Sequence, residues 1–202
     1  MLHLLAPLRF SFSTPRPLPS LSDSLPPIRQ ALDAATPDQR VNWMRGLGRG
    51  ELRALYSLAA GEAVPLSLLA GAEGEIVIHE GQNSLPAFTR FQKRFVLRNG
   101  QVQGYNHNPA IVAWVSGPGH FTCAEEGAEL RVDYTRLPAD VPAGFPALID
   151  NNGGTRGLIF GELVDHLRRV SRHCTIGAAT KKGKPFPAWF MLTRMGDPPS
   201  DG

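Results

Sequence analysis

The sequence predicts a mainly β fold with some helix (α+β), an antiparallel β-barrel with N-terminal helices packed as a cap. Before residue 70, apolar residues recur about every 3.6 positions, which is typical of amphipathic helices. After residue 74, apolar and polar residues alternate in roughly eight to ten short segments, with turn residues about every 8–12 positions. This spacing indicates an antiparallel meander, which at this size closes into a barrel or folds into a sandwich.

The domain organisation follows from length and composition. The chain has 202 residues, of which 42% are hydrophobic, so it is long and apolar enough for one domain with a tail. We divide it into a Pro/Ser-rich N-terminal segment, a helical cap, a β-barrel domain and a C-terminal tail. Their bounds are residues 1–26, 27–69, 70–196 and 197–202.

Three helices are predicted for the cap. The first, PPIRQALDAA at 26–35, begins at Pro27, because proline suits the first helical turn. Thr36 and Gln39 form a Thr-x-x-Gln capping box at the start of the second. GELRALYSLAAG at 50–61 is the third. Its apolar stripe indicates a packing face rather than a cofactor site.

The barrel strands are separated by turn signals. Asn99-Gly100 between two alternating segments is the strongest short signal for a hairpin. The run AIVAWVS at 110–116 is apolar on both faces, which predicts a strand buried on both sides. A Pro-rich excursion from Leu137 to Pro146 is long for a connection in an all-β domain, and such loops often form lids or rims. The later strands are predicted in GLIFGEL, VDHLRRV, HCTIGAA and FPAWFMLTR.

The cysteines and the N-terminus predict a cytoplasmic protein. Cys123 and Cys174 form no Cys-x-x-Cys motif, which favours two buried thiols in a reducing compartment over a single disulfide. Pro7 and Arg9 interrupt the apolar start, so we expect no secretory signal, with a degraded signal as the alternative. No run reaches the roughly 20 apolar residues of a membrane-spanning helix.

Positive charge is concentrated late in the chain, although the net charge is only +3. From His166 to Gly196 there is no Asp or Glu. A basic surface of this kind can meet nucleic acid, an anionic membrane or an anionic ligand, but a solvated pair of strands is the simpler interpretation. No nucleic-acid-binding module is visible, so no specific nucleic-acid partner is expected. The basic residues are Arg168, Arg169, Arg172, Lys181, Lys182, Lys184 and Arg194.

The stretch 163–170 raises the question of a polar anchor inside the barrel. In a strand, His166 and Arg168 point to one side, whereas Asp165 points to the other. An Arg or His in an apolar lumen can hold the polar end of a ligand by charge-assisted hydrogen bonds. The alternative is that these side chains lie near the barrel ends and contact water.

Other polar residues suggest a pocket mouth or an acid–base pair. GYNHNP at 104–109 places Tyr105 and His107 at a mouth, or else forms a turn that satisfies its own backbone. His107 or His166, with Asp133 across strands, would serve as acid and base in a barrel enzyme such as a cyclase or isomerase. No nucleophile elbow, phosphate loop or calcium-loop spacing is present, so we expect no metal and no cofactor.

Residues 129–194 carry a family resemblance in three stretches, ELRVDYTRLP, GLIFGELVDHLRRVSRHCTIGAA and AWFMLTR. They resemble the lipocalin-like tail of the small bacterial Gly-x-Trp-x-Gly family of unknown function, and FQKRF at 91–95 is similar to its earlier Lys-x-Phe element. The Gly-x-Trp-x-Gly motif itself is absent. DYTRLP, the Pro-rich loop and LRRVSR also resemble plastid lipid-associated fibrillins. Both resemblances imply a barrel of lipocalin or fatty-acid-binding-protein type, with Asp165, His166 and Arg168 as pocket residues.

These observations predict a binding protein for a small hydrophobic or lipid-like molecule. Arg168 and His166 are expected to anchor its polar group, with Asp165 and Tyr105 as further pocket residues. A barrel enzyme and a basic interaction module are the alternatives, and the sequence allows a homodimer. The apolar wall is expected to comprise Phe91, Phe95, Trp114, Tyr134 and Phe190.

Overall fold

The protein is described by a computed structural model that covers residues 24–86, 89–107 and 117–198. The predicted strand at 110–116, including Trp114, and most of the N-terminal segment lie outside these residues. Within the described ranges the helices are α1 Leu25–Ala34, α2 Pro37–Arg45, α3 Arg49–Leu58, α4 Leu66–Leu69 and α5 Gly154–Ile159. The strands are β1 Ile76–Asn83, β2 Arg90–Arg98, β3 Gln101–His107, β4 His120–Glu126, β5 Glu129–Asp133, β6 Leu163–Arg169, β7 Cys174–Lys181 and β8 Lys184–Arg194.

The strands of the described residues form a closed antiparallel barrel, which confirms the predicted fold class at that level. Each strand pairs with the next along the chain, and β8 returns to pair with β1. The predicted hairpin lies between β2 and β3, where Asn99 and Gly100 both have positive φ, at 51° and 73°. Among the described strands, closure leaves no unpaired sheet edge and gives each strand an inner and an outer face.

Helices α1 to α3 lie against the side of the barrel and do not cover an open end. The predicted capping box is present, since Gln39 N donates to Thr36 Oγ1 and Thr36 N donates to Gln39 Oε1. The apolar faces of these helices pack on the outer face of β7 and β8, with Ile176 and Met191 in the shared cluster. The predicted cap is therefore a lateral layer, because the outward residues of β7 and β8 are apolar and need a cover.

One barrel end is closed by α4, and we call it the plug end. Leu68 and Leu69 belong to the same buried cluster as the inward side chains of the strands. Arg194, at the end of β8, donates from Nη1 to the carbonyls of Ser67, Leu68 and Ala70 at 3.1, 2.9 and 3.3 Å. His79 Nε2 lies 3.1 Å from the Leu69 carbonyl. The plug thus has its last carbonyls satisfied by side chains of the barrel.

The Pro-rich loop covers the outer face of the barrel instead of its mouth. Phe145 packs on Tyr105 of β3 with ring centroids 4.6 Å apart, and Gln103 donates to the Asp140 carbonyl at 2.9 Å. The loop then leads into α5, where the sequence predicted a strand in GLIFGEL. That prediction is wrong for residues 157–159, which belong to α5. The β6 strand starts only after Glu162, whose φ of 56° turns the chain.

Two smaller findings complete the fold. Cys123 and Cys174 are free and buried, as expected, and burial raises the pKa of the Cys174 thiol to about 11. No helix in the described part of the chain has the length and apolar character needed to cross a bilayer.

Candidate functional site

A lysine stands on the inner face of β2. Strand alternation puts Phe91, Lys93, Phe95 and Leu97 on one side, and the three apolar residues pack in the barrel interior. The Lys93 side chain therefore points into the barrel interior on the same face as these apolar side chains, and it is only 2% exposed. A buried cation needs polar partners, since burying an unpaired charge is very costly.

The partners of Lys93 come from three other strand regions. Its Nζ donates to Asn106 Oδ1 on β3 and to Asp165 Oδ2 on β6, both at 3.1 Å, and to the Tyr134 hydroxyl just after β5. Asn106 Nδ2 donates to the Tyr134 hydroxyl at 3.1 Å, and that hydroxyl lies 3.3 Å from Asp165 Oδ2. We call Lys93, Asn106, Tyr134 and Asp165 the Lys93 cluster.

The Lys93 cluster is almost completely withdrawn from solvent. Asp165 is 4% exposed and Asn106 6%. The ammonium and the carboxylate neutralise each other inside the barrel, and the amide and the phenol supply further hydrogen bonds, as a buried ion pair requires. Burial, followed by the negative charge of Asp165, raises the pKa of Tyr134 well above its usual value. Tyr134 is therefore a neutral hydroxyl at physiological pH.

Aromatic rings surround the Lys93 ammonium. Its Nζ lies 4.8 Å from the ring centroid of Tyr134, 5.0 Å from Phe121 and 5.4 Å from Phe190. Ring faces attract a cation at these distances, and more strongly where water is excluded. The rings therefore stabilise a positive charge at this position beyond what Asp165 provides.

A cavity of about 290 Å³ lies next to the cluster, at the barrel end opposite the plug. We call this the cavity end. Its wall is mainly apolar, and its polar inner surface comes from the Lys93 cluster. Leu158 on α5, 77% exposed, and Phe186 on β8, 37% exposed, form an apolar rim. The remaining lining residues are Asn83, Leu85, Phe91, Ile159, Phe160, Leu163, Ala179, Lys181, Ala188 and Phe190.

Local sequence explains how the strands leave this space. Leu163 and Leu167 flank Asp165 on the inner face of β6, so the apolar pair fixes the strand's register and carries the carboxylate inside. Gly177 on β7 has no side chain to oppose them. A Cβ there would lie 2.4 Å from the Phe190 ring and 2.8 Å from Leu167 Cδ2. The glycine thus leaves the space that the Phe190 ring occupies against β7.

Several of the predicted wall residues do line the cavity. Phe91, Phe190 and Tyr134 border it, and Asp165 does so as the partner of Lys93. Phe95 is also on the inner face, but it is fully buried in the packed core, 4.9 Å from the ring of His79 toward the plug end. Trp114 lies outside the described residues.

The predicted anchor pair does not line the cavity. His166 and Arg168 alternate with Asp165 and therefore lie on the outer face of β6. Arg168 Nε donates to Glu129 at 2.7 Å, and its guanidinium stacks 3.7 Å from the Tyr56 ring of α3. His166 Nε2 lies 3.2 Å from Thr180 Oγ1. Polar residues stand on both faces of β6, and the flanking leucines select Asp165 for the interior.

The predicted mouth and acid–base residues also lie on the outer face. Tyr105 is covered by the Pro-rich loop, and its hydroxyl is 3.5 Å from His107 Nδ1. Asp133 pairs with Arg131 at 3.0 Å and accepts from Thr135 Oγ1 at 2.6 Å. Neither His107 nor His166 shares a contact with Asp133 among those described, so the predicted pair is not assembled.

Lys93 and Asn106 are the site residues that the sequence analysis missed. The signal for Lys93 was present, because the residue lies midway between Phe91 and Phe95 and shares their face by alternation. Asn106 lies inward at the end of β3, where GYNHNP looks like a turn. A polar residue at an inward position is more informative than one beside a turn, because burial must be compensated.

Comparison with known proteins adds no relative: no family model, curated protein or solved structure matches this chain. Within residues 24–86, 89–107 and 117–198, no group of three or more His, Cys, Asp or Glu side chains is arranged to hold a metal ion. The barrel, its cavity and the Lys93 cluster are therefore the observations on which a function can be argued.

Proposed function

We propose that the protein binds a small apolar molecule that carries one uncharged polar group. The observation that supports this is the apolar cavity of about 290 Å³ with the buried Lys93 cluster at its inner surface. Ligand pockets usually combine an apolar wall with a few convergent polar groups. On this proposal the barrel is of the lipocalin or fatty-acid-binding type, as the family resemblance implies, and the protein works in the reducing cytoplasm.

The cavity's size restricts the ligand. Pockets for small molecules span about 300–1,000 Å³, and this one is at the lower limit. A short alkyl chain or a small ring system fits such a space, whereas a long-chain lipid would extend past Leu158 into solvent. The rim is suited to the entry of such a molecule, because Leu158 and Phe186 present exposed apolar side chains there beside Lys181.

The charge of the cluster restricts the ligand's polar group. Asp165 already neutralises Lys93 at 3.1 Å, so a ligand carboxylate would meet the Asp165 carboxylate and a ligand amine would meet the Lys93 ammonium. A hydroxyl or carbonyl group avoids both repulsions. It can replace one of the cluster's own acceptors and accept from Lys93 or Asn106, and it adds no charge to a buried site.

The experiment is calorimetric titration with three probes of equal chain length: octanol, octanoate and octylamine. We expect octanol to bind most tightly. The variant Ala188→Leu, which fills the cavity beside Phe190, should weaken octanol binding by at least about tenfold, since the lost volume excludes part of the chain.

The matched control is Ala124→Leu, which adds the same side chain at an exposed position of β4. It should leave octanol binding unchanged. Equal effects of the two substitutions, or absence of octanol binding in the unmodified protein, would overturn the proposal.

A further inference from the structure

We propose that Lys93 forms a Schiff base with a bound aldehyde or ketone, so that the ligand's uncharged polar group is a carbonyl. This inference rests on the proposed function, because the carbonyl compound must first enter the cavity. It goes further by assigning a covalent role to one side chain.

The position of Lys93 supports the assignment. A primary amine is the side-chain group that condenses with carbonyls, and a lysine in an apolar pocket is the usual site of such chemistry. Lys93 borders the cavity and is 2% exposed. The sequence contains three other lysines, Lys181, Lys182 and Lys184. Lys181 is at the cavity rim and Lys182 is 71% exposed, so the chain carries its own solvent-facing controls.

The neighbours of Lys93 can move the protons that the reaction needs. Lys93 Nζ first gives a proton to Asp165 Oδ2, which lies 3.1 Å away, and this frees the nitrogen lone pair. The lone pair attacks the carbonyl carbon, the C–N bond forms, and the carbonyl oxygen takes the Tyr134 proton. The new C–N nitrogen then returns a proton to the Tyr134 oxygen, and a neutral carbinolamine results.

The second half of the reaction releases water. Asp165, now protonated, gives its proton to the carbinolamine hydroxyl. The nitrogen lone pair forms the C=N bond as the C–O bond breaks and water leaves. The product is a protonated Schiff base paired with the Asp165 carboxylate. In sum, ammonium and carbonyl become iminium and water, and no oxidant or reductant is needed.

The environment of Lys93 stabilises the Schiff base as well as supporting the steps that form it. The iminium has the same charge as the ammonium that it replaces, so Asp165 remains its counterion. The rings of Tyr134, Phe121 and Phe190 that face the ammonium at 4.8 to 5.4 Å face the iminium in the same way. An apolar cavity also limits the water that would hydrolyse it.

The test is reductive trapping with octanal. The intact protein is incubated with octanal and sodium cyanoborohydride, digested, and mapped by mass spectrometry. We expect octyl modification of Lys93 at low octanal concentration, before Lys181, Lys182 and Lys184, and protection of Lys93 by excess octanol. Modification confined to the other lysines or the terminal amine would overturn the inference.

A second measurement separates this inference from the proposed function. Asp165→Asn removes the proton acceptor and the counterion, so trapping at Lys93 should fall by at least about tenfold. If octanol binds to the unmodified protein but octanal is never trapped on Lys93, the covalent role fails and the binding function stands. If octanol does not bind either, both fail.

Discussion

The two ends of the barrel both bury a cation, yet they treat it differently. At the plug end, Arg194 is held by the carbonyls of Ser67, Leu68 and Ala70, which belong to the chain's own backbone. At the cavity end, Lys93 is held by side chains and borders open space. A buried cation whose partners are backbone atoms therefore stabilises the fold, whereas a buried cation beside a cavity can also contact another molecule.

The first prediction concerns a variant that disrupts the plug end, and its expected effect on the free energy of unfolding is the largest. Arg194→Met should lower the free energy of unfolding by about 4 kcal/mol, because the α4 carbonyls are left buried without a donor. Urea unfolding followed by circular dichroism measures the change. Arg98→Met is the control, since the pair of Arg98 with Asp140 at 2.6 Å is solvent-exposed. Similar losses in both variants would contradict the role of Arg194.

The second prediction tests whether the Lys93–Asp165 pair stabilises the fold. Lys93→Met should cost about 3 kcal/mol of unfolding free energy, because Asp165 becomes an unpaired buried charge. The double variant Lys93→Met, Asp165→Leu should recover most of that loss, since both charges are replaced by apolar groups. The same denaturation assay checks this. A double variant as unstable as the single one would show instead that the Lys93–Asp165 ion pair itself stabilises the fold.

The third prediction sharpens the comparison through pH. Burial, with a smaller effect of Arg194, lowers the pKa of His79 to about 3 from an ordinary value near 6.5. The unfolded chain therefore binds a proton that the folded chain does not, and stability falls as pH falls below about 6.5. The loss is at most about 1.4 kcal/mol per pH unit until the folded pKa is reached.

The variant His79→Gln isolates this contribution, because His120 and His173 also have lowered pKa values. The unfolding free energy of His79→Gln should depend less on pH than that of the unmodified protein between pH 6.5 and about 4. Parallel pH profiles for the two proteins would contradict a neutral, buried His79 at the plug.

The fourth prediction has the smallest effect and concerns the outer face. His166→Gln should leave octanol affinity unchanged and alter the unfolding free energy by less than about 0.5 kcal/mol, because His166 lies outside the lumen. Calorimetry and urea unfolding check both values. A clear loss of octanol affinity would return His166 to the site and place the ligand elsewhere than in the cavity.

The periodicity of the apolar residues, together with the turn and capping residues, was sufficient to predict much of the fold. Alternation after residue 74 and Asn99-Gly100 predicted the meander, and Thr36 with Gln39 located the start of α2. The position of the helices was not predictable in the same way. Whether an apolar helix face covers the barrel's end or its side depends on which outward strand residues are apolar, and this emerges only when the strands pair.

The candidate site was predicted in part. Tyr134, Phe91 and Phe190 follow from alternation, but the choice between Asp165 and His166 depended on the register of β6. Both faces of that strand carry polar residues, so polarity alone could not choose. The flanking Leu163 and Leu167 share the face of Asp165. The pattern of apolar residues along β6 therefore predicts that Asp165, and not His166, points into the barrel.

The pairing of β8 with β1 has a consequence for protein synthesis. His79 and Arg194 are opposite each other across that seam, although nearly the whole barrel separates them along the chain. A ribosome must deliver β8 before the tube can close and before Arg194 can reach α4. Until then the nascent polypeptide exposes a strand edge and an uncovered apolar sheet, and it is open to aggregation for longer than a helical protein of equal length.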